Sequence, residues 1–403
     1  MGSKTLWVVQ GIKTGIVRLA YHLCHSTVSF LSAAIHHLET LVPANAYSQS
    51  RICDGMKEWL SEKRTRRLLD KLYQRSSIET RYSVVADIFE EDEEGRHFGH
   101  FSTAERNDIY CEASKRLAIE LGRKLFAGCA DFSPKEVTHV IFASCTGFCN
   151  PGPEYHLMRA FGIPKTAERY TLGFMGCYAA FPALRMASQF CAADPDAVVL
   201  VMCLELSSLH MQVGDSQDSL LGNSLFSDGA AAAIVSAREL AIDQAGFKLH
   251  DFTSSIVEAG EEDMAWTIGD RGFDLVLSSY VPKILGATIR DLVPDAHSID
   301  KWAIHPGGRA ILDNVIEALE LPEDAVDASR EVLRDYGNMS SATVLFVLKA
   351  LLENTDEPGD FRTKAIAFGP GLTVELADLI MRIPAGKDIG ELLRARRTRK
   401  AAA

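Results

Sequence analysis

The sequence predicts an α/β fold built from two similar halves. Short apolar runs of strand type alternate with stretches of helical periodicity along the chain. Three of these runs, residues 137–144, 197–205 and 229–237, are almost continuously apolar, which is typical of strands in a sheet that is covered on both faces. The same alternation returns after residue 300, so we expect two halves of similar construction that pack together.

The predicted elements follow one another in a regular order. In the first half we predict strands at 30–42, 137–144, 170–175, 197–205 and 229–237, and helices at 52–60, 104–125, 154–161 and 179–193. In the second half we predict strands at 301–304, 363–368 and 372–377, and helices at 309–320, 328–336 and 339–354. The tight turn Gly369-Pro370-Gly371 separates the last two strands.

These elements divide the chain into an N-terminal half, 28–245, and a C-terminal half, 246–390. Residues 1–27 form an extension whose apolar stretch is interrupted by Lys13 and Arg18, which argues against a membrane span or a signal peptide. An appended amphipathic helix or an expression remnant explains it better, and we expect no stable membrane insertion. Residues 391–403 include the run RARRTRK and are expected to form a solvated basic tail.

The composition limits the possible classes of function. The chain has 403 residues, of which 47% are hydrophobic and 24% charged, and this is enough for a sizeable core. Its net charge of −12 argues against nonspecific binding of nucleic acid. The 9 cysteines, an odd number without CxxC spacing, favour reduced thiols in the cytoplasm over disulfides or a zinc site.

One cysteine lies where a predicted strand gives way to a predicted helix. Cys177, in GFMGCYAA, follows Gly176, which permits a sharp turn. The unpaired N–H groups and the dipole at a helix N terminus stabilise an anion and can lower the pKa of a thiol, so Cys177 is a candidate nucleophile. A small, inert core residue is the commoner role of a cysteine at such a junction.

A histidine and an asparagine occupy comparable junctions in the second half. His305 ends a predicted strand and precedes Pro306-Gly307-Gly308, whose glycines would let a ligand approach closely. A packed core histidine is the alternative. Asn338, in DYGNMSSAT, precedes an apolar helix, so it either caps that helix or presents an uncharged amide that stabilises an enolate or a thioester oxyanion.

Four motifs in order, GFMGCYAA, WAIHPGG, DYGNMSSAT and AFGPG, resemble those of type III polyketide synthases, the chalcone and stilbene synthase superfamily. The resemblance covers residues 30–383. It implies a thiolase-like fold of two pseudo-equivalent halves in a five-layered α-β-α-β-α arrangement, assembled as a homodimer. It also implies acyl-CoA and malonyl-CoA as substrates, without a cofactor, a metal or a nucleic acid partner.

The resemblance also assigns roles to individual residues. Cys177 matches the acyl-accepting nucleophile, His305 the residue that keeps it as a thiolate, and Asn338 the amide that orients malonyl-CoA and stabilises its enolate. The matching gatekeeper and cavity positions are Phe226, Leu275, Cys145, Asn150, Trp266, Ser340, Gly369, Pro370 and Gly371, and the matching CoA-binding positions are Lys71, Arg75, Gly307 and Gly308. A core aromatic remains the alternative for Phe226, and a solvated helix face for Lys71 and Arg75.

Departures from the plant members of this family bear on the substrate. Leu275 stands where plant members usually have Phe, which would widen the gate, and Trp266 stands where chalcone synthase has Gly. Cys145 replaces a frequent Thr, and Asn150 lies near a position, often Met, that reaches across the dimer. The resemblance is therefore to bacterial members, with a fatty acyl starter and an alkylpyrone or alkylresorcinol product.

Two alternative functions stay open. One is a β-ketoacyl-acyl-carrier-protein synthase of the initiating type, which uses Cys, His and Asn for a single condensation on a carrier protein. The other is a non-catalytic binding protein that has kept the thiolase fold. The motifs around His305 and Asn338 favour the polyketide synthase over the first, and the intact set of three residues favours an enzyme over the second.

Overall fold

The computed structural model describes residues 33–86, 88–212, 214 and 216–385. The predicted extension, 1–27, and the predicted tail, 391–403, lie outside the described residues. The first half contains β1 (Ala34–Leu41), β2 (Asn45–Ser48), α1 (Gln49–Glu58), α2 (Lys63–Arg75), β3 (Thr80–Ser83), α3 (Thr103–Gly128), β4 (His139–Ser144), α4 (Pro153–Phe161), β5 (Glu168–Gly173), α5 (Ala180–Ala193), β6 (Val198–Leu206), α6 (Gln217–Leu225) and β7 (Asp228–Ser236). The second half contains β8 (Gly246–Ile256), β9 (Met264–Gly269), β10 (Gly272–Leu277), α7 (Val281–Leu292), β11 (Lys301–Ile304), α8 (Arg309–Leu319), α9 (Asp327–Tyr336), α10 (Thr343–Asn354), β12 (Gly359–Gly369) and β13 (Thr373–Ile383).

Nine of these strands form one mixed sheet in the order β11-β12-β13-β8-β1-β7-β6-β4-β5. In the first half β1 is antiparallel to β7 and β7 to β6, whereas β6 and β5 both run parallel to β4. The second half repeats this pattern, since β8 is antiparallel to β13 and β13 to β12, and β12 is parallel to β11. The two parts meet where Ala34 and Ile35 of β1 pair with β8.

Successive side chains of the central strands face different layers of helices, because the side-chain period of a strand is two. In β6, Val199 and Val201 pack with α5 and α10 between the two parts of the sheet, and Leu200 packs with α3 and α4 on the outside. In β12, Ala365 faces the same central helices, whereas Ile366 packs with α7 and α8 on the other outer side. The layers therefore follow the predicted α-β-α-β-α order.

Three predicted element boundaries are wrong because a residue with left-handed backbone geometry interrupts the element. The predicted helix 339–354 contains a separate 3₁₀ turn, Ser340–Ala342, and α10 begins only at Thr343, since Ser340 has φ +48°. The strand predicted to reach 175 ends at Gly173, because Phe174 has φ +57°. The last strand begins at Thr373 and not at the predicted 372, because Leu372 has φ +41°. Such geometry is strained for L-residues, and it clusters at functional sites.

Candidate active site

Three junctions between elements meet at one internal cavity. Cys177 lies on the 3₁₀ turn Gly176–Tyr178 between β5 and α5, His305 directly follows β11, and Asn338 lies between α9 and the 3₁₀ turn that precedes α10. All three line a cavity of about 60 Å³, and Sγ of Cys177 lies 4.0 Å from Oδ1 of Asn338. The fold thus brings together the three side chains that the sequence singles out, although they are up to 161 positions apart.

The turn that carries Cys177 depends on glycine at two contacts. Gly176 has φ +80°, and a Cβ atom there would lie 2.2 Å from Cδ of Pro370. A Cβ at Gly369 would lie 2.4 Å from the Tyr178 ring. The backbone of the 369–371 turn therefore packs directly against the turn of Cys177, and only residues without a Cβ permit this approach.

The environment of Cys177 is apolar and keeps its thiol protonated. Its remaining exposure is to the cavity, and burial raises the pKa of the Cys177 thiol to about 12, although hydrogen bonds with Ser340 and Asn338 act in the opposite direction. The negative charge of Glu205 raises the pKa further. The expectation that a helix N terminus lowers this pKa is wrong for the resting chain, because burial raises the pKa and α5 itself begins only at Ala180.

His305 is buried and has two unused ring nitrogens. It is 1% exposed, and neither Nδ1 nor Nε2 has a hydrogen-bond partner among the described residues. Burial lowers the pKa of His305 to about 3, so its ring is neutral at physiological pH. A neutral imidazole carries one N–H donor and one acceptor nitrogen. Leaving the polar nitrogens of a buried ring without hydrogen bonds costs free energy, and a histidine with a purely structural role would form such bonds. We therefore expect a ligand in the cavity to bond to this ring.

The amide of Asn338 is held in a fixed orientation. Its backbone N–H donates to the carbonyl oxygen of Leu225 at 3.0 Å, and its own carbonyl accepts from the N–H of Ser227 at 2.9 Å. Its Oδ1 accepts from the N–H of Ser340 at 2.9 Å, which satisfies the start of the following turn much as a cap would. Its Nδ2 donates weakly to Gly307 O at 3.5 Å and so remains available to the cavity.

Aromatic and aliphatic side chains form part of the cavity wall. Phe226, Leu275 and Trp266 line it, and Nε1 of Trp266 donates to the carbonyl oxygen of Cys145 at 2.9 Å. The same three side chains also line a second, more polar space of about 280 Å³ that adjoins the first. They therefore form a partition between two compartments, which is named here the Trp266 partition.

The remaining residues from the sequence divide into those that line the cavity and those that do not. Cys145, Ser340, Pro370 and Gly307 line it. Gly308 packs near Leu225, and Gly369 and Gly371 shape the turn behind Cys177 without lining the space. Asn150 is exposed in the loop after β4, and Lys71 and Arg75 are exposed on α2; none of these three lines the cavity.

Sequence analysis did not identify the buried carboxyl group beneath the site. Glu205 is 0% exposed at the end of β6, where its Oε2 accepts from the N–H of Cys145 at 2.9 Å and the hydroxyl of Thr146 at 3.0 Å. Its Oε1 accepts from the Ser341 hydroxyl, and burial raises the pKa of Glu205 to about 7. The sequence did contain a signal, which is the single acidic residue at the end of the apolar run AVVLVMCLE. A carboxyl group is rarely fully buried unless it is paired, so its presence in a buried strand indicates specific partners.

The described residues also bear on two other kinds of site. No group of three or more His, Cys, Asp or Glu side chains in this part of the chain is arranged to hold a metal ion. No helix within it has the length and apolar character needed to cross a bilayer.

Comparisons with known proteins show which family the chain matches. The family model for the N-terminal domain of chalcone and stilbene synthases matches residues 24–239, and the model for their C-terminal domain matches 249–384. The α-pyrone synthesis polyketide synthase-like protein Pks18 of Mycobacterium tuberculosis is 28% identical over 369 residues, which cover 87% of this chain and 92% of that protein. The Mycobacterium bovis protein of the same name matches equally.

Solved structures give the same picture of the fold. The C-terminal type III polyketide synthase domain of Steely1, a type I/III hybrid from Dictyostelium, superimposes with a TM-score of 0.81 at 25% identity, covering 87% of this chain and 100% of that one. The polyketide synthase PKS-I of the brown alga Ectocarpus siliculosus gives 0.80 at 25% identity, covering 87% and 98%.

Proposed function

Because this chain belongs to the chalcone and stilbene synthase family and is a condensing type III polyketide synthase, we propose that Cys177, His305 and Asn338 are its catalytic residues. They would extend an acyl-CoA starter by repeated decarboxylative condensation with malonyl-CoA. The observation that carries the proposal is the meeting of a thiol, an unpartnered imidazole and an oriented amide in one apolar cavity. In this assignment the N-terminal half, 28–245, supplies the nucleophile and the C-terminal half, 246–390, supplies the other two groups.

The first step is transfer of the acyl group to the enzyme. The Cys177 thiol and the neutral His305 ring face the same cavity, so the ring can accept the thiol proton as sulfur attacks the thioester carbonyl of the starter. Proton transfer during attack removes the need for a resting thiolate, which burial makes costly. The CoA thiolate leaves, takes the proton back from His305 and departs as CoA-SH.

The second step forms the carbon–carbon bond. The N–H of neutral His305 and Nδ2 of Asn338 donate to the thioester oxygen of malonyl-CoA, where negative charge develops as CO₂ is lost. The resulting enolate attacks the acyl-Cys177 carbonyl and expels the Cys177 sulfur. The extended acyl-CoA then returns its acyl group to Cys177, and cyclisation ends the cycle. These steps require CoA thioesters and no further cofactor.

The walls of the cavity favour an aliphatic starter. Apart from the catalytic groups they consist mainly of aliphatic, aromatic and sulfur-containing side chains, including Phe226, Leu275, Met264 and Ile311. An apolar wall recognises alkyl chains by area and rejects polar groups, which lose their hydration there. The Mycobacterium relative is named for α-pyrone synthesis. We therefore assign a fatty acyl-CoA starter and an alkylpyrone or alkylresorcinol product.

The surface offers places for the CoA phosphates and for a second copy of the chain. Lys71 and Arg75 are exposed on α2 without an ion-pair partner in the described part of the chain. Tyr73 of the same helix donates to the carbonyl oxygen of Asn223 at 2.8 Å, which joins α2 to α6, the helix that directly precedes Phe226. The outer edge of β5, beside the exposed ring of Phe148, would pair with the partner in a homodimer. The free cysteines of the described residues support a cytoplasmic location for this enzyme.

The proposal is tested by incubating the purified protein with malonyl-CoA and a panel of acyl-CoA starters of increasing length, and reading the products by mass. We expect pyrone or resorcinol masses with long starters, no product from Cys177→Ala, and product from the matched control Cys111→Ala, whose thiol lies on α3 outside the cavity. A strict requirement for an acyl carrier protein, or normal product from Cys177→Ala, would overturn it.

A further inference from the structure

The Trp266 partition is carried by a hairpin that stands apart from the main sheet. Within the described residues β9 and β10 pair only with each other. Trp266 and Leu275 are direct partners in this ladder, and both project to the cavity side, where they line both compartments. A two-stranded sheet is marginally stable by itself, so the position of the hairpin depends on what its ends are attached to.

Side chains from distant parts of the sequence hold the hairpin near its tip. His210 accepts from the N–H of Phe273 at 3.1 Å and Gln212 donates to the carbonyl oxygen of Phe273 at 3.0 Å, while Thr103 bonds the tip itself. The hydroxyl of Thr103, at the start of α3, accepts from the N–H of Gly272 at 2.8 Å and donates to the carbonyl oxygen of Gly269. The N–H of Thr103 donates to the carbonyl oxygen of Asp270 at 2.9 Å. Gly272 has φ +112° and packs against His210, so the tip reaches Thr103 in a conformation that favours glycine.

The helix end that carries Thr103 is itself rigid. Ser102 caps α3, and the side chain of Glu105 accepts from the Ser102 N–H at 2.7 Å, which completes a capping box. The guanidinium of Arg106, 1% exposed, donates to the carbonyl oxygen of Phe101 at 2.8 Å and to that of Met211 at 3.0 Å. A capped first turn tied down by a buried, bonded arginine is a fixed anchor for the hairpin.

We propose that Thr103 is a positioning residue that sets the depth of the acyl-binding cavity by fixing the β9–β10 hairpin. The proposal deepens the proposed function and rests on it, since it concerns which acyl chains the same cavity takes. Loss of the Thr103 hydroxyl frees the hairpin tip, so the side chains of the Trp266 partition can move. The acyl chain can then enter the space of about 280 Å³ on the other side of the partition. The substrates it selects among are aliphatic acyl-CoA thioesters of different length.

A matched pair of variants isolates the hydroxyl group. Thr103→Val keeps the shape of the side chain and the backbone bond to Asp270 but removes the hydrogen bonds of the hydroxyl, whereas Thr103→Ser keeps the hydroxyl and removes the methyl group. With the hydroxyl gone, we expect amide hydrogen exchange in residues 264–277 to become roughly fivefold to tenfold faster, and kcat/KM for long relative to short acyl-CoA starters to rise roughly fivefold. Thr103→Ser should match the wild type in both measurements.

The outcomes separate this proposal from the proposed function. Wild-type exchange rates in the Thr103→Val hairpin, exchange that accelerates equally throughout the chain, or faster hairpin exchange with an unchanged starter preference would each overturn the role of Thr103. If the wild-type protein makes no polyketide from any starter, the proposed function fails, while the exchange experiment still decides whether Thr103 holds the hairpin.

Discussion

The buried Glu205 makes the stability of the chain depend on pH in an unusual direction. Its pKa is about 7 in the folded chain against the ordinary value of 4.5, and burial is the main cause. Between these two values the unfolded state has already released the proton and the folded state has not. The folded state therefore binds more protons, so the stabilisation from this group is complete below pH 4.5 and is lost as the pH rises to 7.

The size of the effect follows from the two values. Each pKa unit corresponds to about 1.4 kcal/mol. The titration of Glu205 therefore lowers the free energy of unfolding, relative to its value at low pH, by roughly 3 kcal/mol at pH 8 and by roughly 1 kcal/mol at pH 5, where only the unfolded state has released the proton. Glu205→Gln removes the titration and can keep its bonds, because the amide oxygen accepts from Cys145 and Thr146 and the Ser341 hydroxyl can turn to accept from the amide N–H.

Urea unfolding at pH 5 and pH 8 measures this effect. We expect the stability of Glu205→Gln relative to the wild type to rise by roughly 2 to 3 kcal/mol between the two pH values. The exposed carboxyl variant Glu258→Gln is the control and should show no such change. A relative stability that is flat between pH 5 and pH 8, or that falls, would show that Glu205 is ionised in the folded chain and would refute the reasoning.

Three further predictions concern the cavity and its support. Trp266→Ala should join the two compartments and shift starter preference toward longer acyl-CoA chains, measured by kcat/KM across a length series; an unchanged preference would mean that Trp266 does not limit the depth. Leu275→Phe should shift the preference toward shorter chains, because Leu275 already lies over Gly222, where a Cβ would approach its Cδ2 to 2.6 Å; a preference for longer chains would contradict this. Gly176→Ala should lower the free energy of unfolding by at least about 2 kcal/mol through left-handed strain and overlap with Pro370, measured by urea unfolding, and a stability equal to the wild type would show that the turn adapts.

Local patterns in the sequence predicted the framework of the molecule. The apolar runs that became β4, β6 and β7 are recognisable because both faces of these strands are buried, and each is a continuous stretch of apolar residues. The junctions that carry Cys177 and His305 were recognisable for a similar reason, since strand ends beside glycine are local features. Their meeting in one cavity was implied by the family resemblance rather than by the local patterns.

What the sequence did not reveal depends on contacts between distant residues. The pKa of Cys177 was predicted in the wrong direction because the dipole of a following helix is visible in the sequence, whereas the desolvation of a buried sulfur is not. The β9–β10 hairpin was missed because its two strands are six residues each and its anchor, Thr103, lies more than 160 positions earlier. Glu205 was missed because its hydrogen-bond donors come from the loop that follows β4 and from the turn before α10.

The pairing of β1 with β7 has a consequence for the way the chain is made. The imidazole of His36 bonds to the Ser236 hydroxyl at 3.0 Å across 200 positions of sequence, and β1 has no partner in the sheet until β7 has been synthesised. At about 5 to 20 residues per second, a ribosome leaves this strand unpaired for roughly 10 to 40 s. Because an unpaired strand can pair with another chain, slower growth at low temperature or added chaperone should increase the yield of correctly folded enzyme.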